Sequence, residues 1–218
     1  MRKFNLVFFI ITACNCELTF AQDDVSTTEF NKARRLKYKK SLDSINKDLQ
    51  WREIRDGLYI NRKGDIGFMG KELMFEASVT IYQTIFRDGE ETPLKAVVDT
   101  LTFRKLGGSG FGAYYKDKNR IYHTFATTSG SNLSYYNEAD VKTFKVLNDS
   151  YATDKSHVYH MRFGLMKEAD VATFKSLLYK GSYYAVDDNY YYNEQCFLRS
   201  DQLSESEMNE VISLLDKL

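Results

Sequence analysis

The sequence is poor in proline, cysteine and histidine, and it has no excess of charge of either sign. Its 218 residues include one proline, three cysteines and three histidines, and the 30 lysines and arginines equal the 30 aspartates and glutamates. A chain with no net charge and an ordinary share of apolar residues is not typical of a disordered protein or of one that binds a nucleic-acid polyanion. We therefore expect a folded domain with no nucleic-acid partner.

The amino terminus predicts export. Arg2 and Lys3 precede the apolar run 4–13, which is too short to anchor the chain across a bilayer, and Ala21 ends a small-residue cleavage site. We predict a signal peptide at residues 1–21, a periplasmic or secreted product and no transmembrane span in the mature chain. The alternative is that residues 11–14 form a bacterial lipobox, so that a lipid on Cys14 anchors the protein to a membrane.

Cysteine contributes little to this chain once it is exported. Cleavage after Ala21 removes two of the three cysteines and leaves Cys196 alone, so an internal disulfide is excluded. We interpret Cys196 as a small apolar residue of the core, because its neighbours supply no base that would activate a thiol.

Aromatic residues are abundant and unevenly distributed. The chain has 16 tyrosines and 15 phenylalanines, and most of the tyrosines lie between Tyr114 and Tyr192. Aromatic enrichment favours strands, so we predict a β-rich α+β fold. The predicted segments are an N-terminal helix at 22–50, a β-rich hairpin region at 51–111, a repeated region at 112–197 and a C-terminal capping helix at 201–218. A capping box at Ser204 to Glu207 marks the start of the last helix.

A ten-residue phrase occurs three times in the repeated region. It reads YYKDKNRIYH at 114–123, YATDKSHVYH at 151–160 and YAVDDNYYYN at 184–193. Each copy has a tyrosine strand, a polar turn that begins with aspartate, and a second strand that ends near another tyrosine. Aspartate and asparagine favour tight turns, so each copy predicts a β-hairpin. The spacing of 37 and 33 residues indicates repeated supersecondary units.

A second phrase lies between the copies. EADVKTFKVL at 138–147 matches EADVATFKSL at 168–177. Asp140 and Asp170 are suitable N-caps, and the apolar residues that follow are spaced as on one face of a helix. We therefore predict tandem units that each combine a hairpin with a short helix.

Together the two phrases resemble the DKNYY repeat family of bacterial proteins. The resemblance covers residues 112–197, with three hairpin copies and two copies of the Asp-x-x-Thr-Phe phrase. The family is largely uncharacterised, so the resemblance implies an architecture and an exported location but transfers no catalytic residue and no cofactor.

The residues that could carry chemistry have simpler interpretations. His123 and His160 occupy equivalent places and His157 lies close to the second, yet no spacing of histidine and carboxylate resembles a zinc site. The carboxylates at 138, 140, 168 and 170 are explained by helix capping. We therefore expect no catalytic residue, no metal and no cofactor, and we predict that the protein is not an enzyme.

Tyrosines on the third hairpin are the candidate binding residues. A strand exposes alternate residues on opposite faces, so some of these side chains point outward unless the C-terminal helix covers them. The candidates are Tyr183, Tyr184, Tyr190, Tyr191 and Tyr192. The function we expect is binding of a macromolecular partner, such as a toxin that the protein neutralises as an immunity protein. The alternatives are a cell-wall glycan stacked on tyrosines, or an uncharacterised envelope enzyme.

Overall fold

The computed structural model describes residues 25–72, 78–87, 90–109, 112–126, 133–194 and 196–218. The predicted signal peptide and Cys14 lie outside the described residues. Within the described ranges, no helix is both long and apolar enough to cross a membrane.

The described part of the chain begins with the helix that the composition of residues 22–50 predicts. Helix α1 runs from Val25 to Leu49 and ends where Gln50 adopts a φ of 51°. Most of its described side chains are exposed, and the backbone amide of Arg62 donates to the carbonyl of Leu49 at 2.9 Å. The helix is therefore attached to the rest of the fold mainly at its C-terminal end.

The region after α1 is β-rich. Sheet 1 is an antiparallel meander of β1 (Arg52–Arg55), β2 (Leu58–Ile60), β3 (Ile66–Glu72) and β4 (Ser78–Tyr82). A two-stranded ribbon of β5 (Thr84–Arg87) and β6 (Glu90–Pro93) follows, and then the short helix α2 (Leu94–Val97). The only proline, Pro93, stands at this junction, where its missing amide removes no helix hydrogen bond.

Three further four-stranded meanders contain the three copies of the tyrosine phrase. Sheet 2 has β7 (Arg104–Gly107), β8 (Gly112–Lys116), β9 (Ile121–Phe125) and β10 (Leu133–Tyr136). Sheet 3 has β11 (Lys145–Val146), β12 (Tyr151–Thr153), β13 (Val158–His160) and β14 (Gly164–Met166). Sheet 4 has β15 (Lys175–Tyr179), β16 (Ser182–Val186), β17 (Tyr191–Asn193) and β18 (Cys196–Phe197). In each sheet the predicted hairpin forms the two central strands.

The sheets are stacked face to face in chain order. Sheets 1 and 2 share one apolar cluster, sheets 2 and 3 a second, and sheets 3 and 4 a third. The first tyrosine of each hairpin faces the following layer: Tyr114 contacts Phe144 at 5.7 Å between ring centroids, and Tyr151 contacts Phe174 at 5.4 Å. Because each inner sheet buries both faces, its stability depends on its neighbours.

Helix α3 (Glu205–Leu215) covers the last face of the stack. Val211 and Leu215 pack against Tyr184 and Val186 of sheet 4. Its predicted capping box is present, with the Ser204 side chain accepting from the amide of Glu207 and the Glu207 carboxylate accepting in return. The C-terminal helix predicted from the sequence is therefore confirmed.

The prediction of a short helix in each unit is wrong. Asp140 and Asp170 each begin a single turn, after which the chain enters β11 or β15 as the edge strand of the next sheet. Leu177, one of the apolar residues that suggested a helical face, instead opposes Tyr184 in an antiparallel ladder. In the preceding unit Val146, which lies between the predicted face residues Phe144 and Leu147, opposes Ala152. Tertiary pairing overrides the local helical pattern here.

Candidate functional site

The aspartate that opens each hairpin turn accepts four hydrogen bonds. In the second hairpin, Oδ1 of Asp154 accepts from the backbone amides of Ser156 at 2.7 Å and His157 at 2.8 Å. Its Oδ2 accepts from the Tyr159 hydroxyl at 2.8 Å and from the backbone amide of Asp140 at 2.8 Å. One buried carboxylate thus joins the turn, the second strand and the preceding Asp-x-x-Thr-Phe turn.

The other two hairpins have the same arrangement. Asp117 accepts from its own turn, from Tyr122 at 2.7 Å and from the amide of Asp99 at 2.8 Å. Asp187 accepts from its own turn, from Tyr192 at 2.7 Å and from the amide of Asp170 at 2.8 Å. We call this set of contacts the Asp–Tyr lock. The three locks agree to within 0.1 Å in these tyrosine and amide distances.

A threonine completes each lock. The backbone amide that follows the turn aspartate donates to a threonine hydroxyl of the preceding turn at 2.9 to 3.1 Å. These hydroxyls belong to Thr102, Thr143 and Thr173. The first of them shows that residues 99–103, Asp-Thr-Leu-Thr-Phe, are a third copy of the Asp-x-x-Thr-Phe phrase. Sequence reasoning missed this copy, although the spacing of aspartate, threonine and phenylalanine could have revealed it.

Hydrogen bonds in the second lock favour the ionised form of Asp154. Burial raises the pKa of Asp154, but hydrogen bonds from the amides of Asp140 and Ser156 and from Tyr159 outweigh burial and hold this pKa below its usual value. A hydrogen bond from Lys118 lowers the pKa of Asp99 to about 2. The donors around the Asp154 carboxylate therefore hold the turn, the second strand and the preceding turn together.

Lysine partners distinguish two of the locks from the third. Lys118 lies 2.6 Å from Asp99, and Lys155 lies 2.7 Å from Asp140. In the third hairpin the equivalent position is Asp188, which has the same charge as Asp170 and cannot form this ion pair. Both ion pairs are exposed, so they contribute less than the buried carboxylates.

The segment that contains the three hairpins is similar to a known protein family. Residues 110–195 match the model of the DKNYY family. This part of the chain is similar to the DKNYY family. The match spans all three turn aspartates and their tyrosines, so the predicted resemblance is confirmed. No curated protein and no solved structure matches the chain.

The DKNYY hairpins have two ends with different character. The turn end consists of the turns at 117–120, 154–157 and 187–190. The open end is the opposite end, where β8, β12 and β16 begin and where β9, β13 and β17 finish. In the described part of the chain it comprises Ser109, Gly112, Phe125 and residues 147–150, 160–164, 178–183, 194, 196 and 197.

A cavity of about 350 Å³ lies at the open end and is lined by all three DKNYY sheets. Its charged or titratable lining residues are Asp149, His160, Arg162 and Glu194. Gly112 also lines it, and a Cβ at this position would lie 2.7 Å from the carbonyl oxygen of Thr124. Since these residues come from separate sheets, no local sequence motif could have indicated the cavity.

His160 is the buried titratable group of this cavity. Its side chain is 3% exposed, and its Nδ1 accepts hydrogen bonds from the backbone amides of Arg162 at 3.1 Å and Phe163 at 3.3 Å. Two donors at Nδ1 assign the proton of the neutral ring to Nε2, which has no hydrogen-bond partner among the described residues. Burial, together with the charge of Arg162, lowers the pKa of His160 to about 4.

Arg162 is held by aromatic rings. Its guanidinium carbon lies 5.5 Å from the ring centroid of Phe125 and 5.4 Å from that of Phe163. The described residues provide it with no carboxylate within ion-pair distance. Cation–π contacts on two rings orient the guanidinium while leaving its N–H donors available.

The histidines considered as metal ligands do not come together. His123 stacks on Tyr136 with 4.4 Å between ring centroids, while Nδ1 of His157 lies 3.5 Å from Asp154. His160 faces the cavity already described. Within the described ranges, no group of three or more histidine, cysteine, aspartate or glutamate residues is arranged to hold a metal ion.

The five candidate tyrosines fall into different environments. Tyr184 is buried beneath α3, and Tyr192 is buried in the third lock. The hydroxyl of Tyr191 donates to Asp216 at 2.8 Å, next to α3. Tyr183 and Tyr190 are half-buried, and Tyr183 lines the cavity. Of the five, Tyr183 is therefore the one that belongs to the open end.

Proposed function

We propose that this chain is an exported binding protein that recognises a protein partner through the open end of its DKNYY hairpins. The observation that carries the proposal is the distribution of exposed apolar side chains. Four large ones lie at the open end: Leu147, Phe163, Leu178 and Phe197. Phe163 is 49% exposed and Leu178 is 58% exposed.

The turn end is different in composition. Its exposed positions are mainly polar, including Lys118, Lys155 and Asp188, although Leu101 of the first Asp-x-x-Thr-Phe turn is also exposed. Exposed apolar side chains grouped at one end of a stack favour a macromolecular contact. Helix α1 also exposes large apolar side chains, namely Phe30, Leu36, Tyr38 and Ile45. The stacked sheets support this role because a rigid surface loses little conformational entropy on binding.

A binding role agrees with the chemistry of the locks. Their three carboxylates are each saturated by four donors, so we propose a protein that binds rather than catalyses. The partner class that we favour is a toxin, which would make the chain an immunity protein of the cell envelope. This choice rests on the expected export and on the rigid apolar surface.

Site-specific cross-linking tests the surface. A photoreactive residue is placed at Phe163 at the open end or at Lys155 at the turn end, in cells that export the full chain. We expect a discrete cross-linked partner from position 163 and none from position 155. Equal yields of the same product from both positions would contradict the proposal.

The captured partner then allows a quantitative test. Burying a large apolar side chain contributes about 1.5–3 kcal/mol, so Phe163→Ser or Leu178→Ser should weaken binding of the purified partner by roughly 10- to 100-fold. Lys155→Ser is the matched control and should leave the affinity unchanged. A glycan partner predicts a different result: binding to purified wall polymers that Tyr190→Ala abolishes.

Export and anchoring require their own measurement. Cleavage after Ala21 gives a protein that starts at Gln22, whereas lipidation makes Cys14 the first residue and adds acyl chains. The intact mass of the protein recovered from the cell envelope distinguishes these products. A product that retains Met1 would contradict both routes of export.

A further inference from the structure

The cavity at the open end has features of a small-ligand site that the partner surface does not explain. Its volume of about 350 Å³ is within the range of small-molecule sites. It combines two carboxylates, one guanidinium and one buried imidazole, contributed by residues that are distant in sequence. Groups of both signs in one cavity suit a ligand that also carries both charges.

The donor side of the cavity is Arg162. Its guanidinium is oriented by Phe125 and Phe163 and is not engaged by a described carboxylate. A planar guanidinium is suited to binding a carboxylate. The Nε2–H group of His160 has no hydrogen-bond partner among the described residues, but it is buried in the cavity wall and is not exposed to a ligand.

The acceptor side consists of Glu194 and Asp149. Oε1 of Glu194 accepts from the backbone amide of Tyr183 at 3.1 Å, and Oδ2 of Asp149 accepts from the hydroxyl of Ser109. Each carboxylate is positioned through one oxygen, and within the described structure the other oxygen makes no hydrogen bond. Two ionised carboxylates with available oxygens are suited to an ammonium group.

We propose that this cavity binds an α-amino acid, with the ligand carboxylate on Arg162 and the ligand ammonium on Glu194 and Asp149. The aromatic walls at Phe125 and Tyr183 provide a place for the ligand's side chain. Binding of the amino acid uses the interior of the cavity, whereas the partner surface uses the exposed apolar side chains of the open end. The inference therefore does not depend on the proposed partner.

Calorimetric titration of the exported protein with a panel of L- and D-amino acids tests this proposal. We expect at least one member to bind with a Kd below about 1 mM. Its decarboxylated amine and its deaminated acid should each bind at least about ten-fold more weakly, because each lacks one charged contact. No binding by any amino acid at about 10 mM would overturn the proposal, as would equal binding of neutral sugars.

Two substitutions place the ligand in this cavity. Arg162→Gln and Glu194→Gln should each raise the Kd by at least about ten-fold, since each removes a charged partner. Arg199→Gln is the matched control, because Arg199 is an exposed arginine that pairs with Asp201 and does not line the cavity. Thermal unfolding of each variant verifies folding. A folded Arg162→Gln protein with an unchanged Kd would contradict the assignment.

Discussion

The Asp–Tyr lock predicts a specific loss of stability when one tyrosine hydroxyl is removed. Tyr159 is fully buried, and its hydroxyl donates to Oδ2 of Asp154 at 2.8 Å. In Tyr159→Phe the ring packing is kept, but that oxygen retains only the bond from the amide of Asp140. A hydrogen bond to a charged group contributes about 1.5–3 kcal/mol, so we expect unfolding to become easier by about 2 kcal/mol.

Urea unfolding followed by circular dichroism measures this loss. The control is Tyr190→Phe, because the half-buried Tyr190 makes ring contacts but its hydroxyl makes no hydrogen bond within the described structure. The control should change stability by less than about 0.5 kcal/mol. If the locks are equivalent, Tyr122→Phe and Tyr192→Phe should resemble Tyr159→Phe. A loss in Tyr159→Phe no larger than that of the control would refute the reasoning.

The same lock predicts how this loss depends on pH. The folded-state pKa of Asp154 is lowered, so the stability that its carboxylate contributes is present at neutral pH and is lost as the pH falls through the folded pKa. The difference between the wild type and Tyr159→Phe should therefore shrink in acid. A difference that grows as the pH falls would contradict the assignment of an ionised Asp154.

Three further predictions concern other parts of the stack. Burial lowers the pKa of His160 from 6.5 to about 4. The free energy of unfolding should therefore fall by about 3 kcal/mol as the pH falls between these values, because the unfolded chain binds the proton first. Urea titrations of His160→Asn should lack this component of the pH dependence. Leu215→Ala should lower the free energy of unfolding by about 2–5 kcal/mol because Leu215 of α3 is buried against sheet 4, whereas Leu214→Ala at an exposed position of the same helix should cost less than about 1 kcal/mol; similar losses would mean that α3 is not docked as described. Asp188→Lys should raise the melting temperature at low salt by pairing with Asp170, as the two other hairpins do, and an unchanged temperature would contradict the equivalence of the three turns.

Local side-chain chemistry explains which elements could be predicted. The aspartate at the start of each turn accepts from the backbone amides two and three residues later, so the hairpin turns depend on residues close together in the chain. The capping box of α3 likewise involves only Ser204 and Glu207. In both cases the stabilising partners are neighbours in the chain, so the printed sequence contains the information.

The predicted short helices do not form, although the hydrogen bonds typical of their N-caps do. Asp140 and Asp170 do bond the amides that follow them, as N-caps do. The chain leaves the helical path after one turn because the edges of β12 and β16 offer backbone partners to the next residues. A two-turn helix is marginal alone, and a ladder on a packed sheet stabilises the chain more.

The sequence by itself determined the hairpin turns, the capping of α3 and the two strands of each hairpin, since these depend on hydrogen bonds between residues close in the chain. The edge strands β11 and β15 depended on pairing with β12 and β16. Only the tertiary structure decided which tyrosines are buried. Tyr191 and Tyr192 point to opposite faces of one strand, but the position of α3 and the presence of sheet 3 determine what covers each face. The cavity also required the assembled stack, because Asp149, Arg162 and Glu194 meet only when separate sheets pack together.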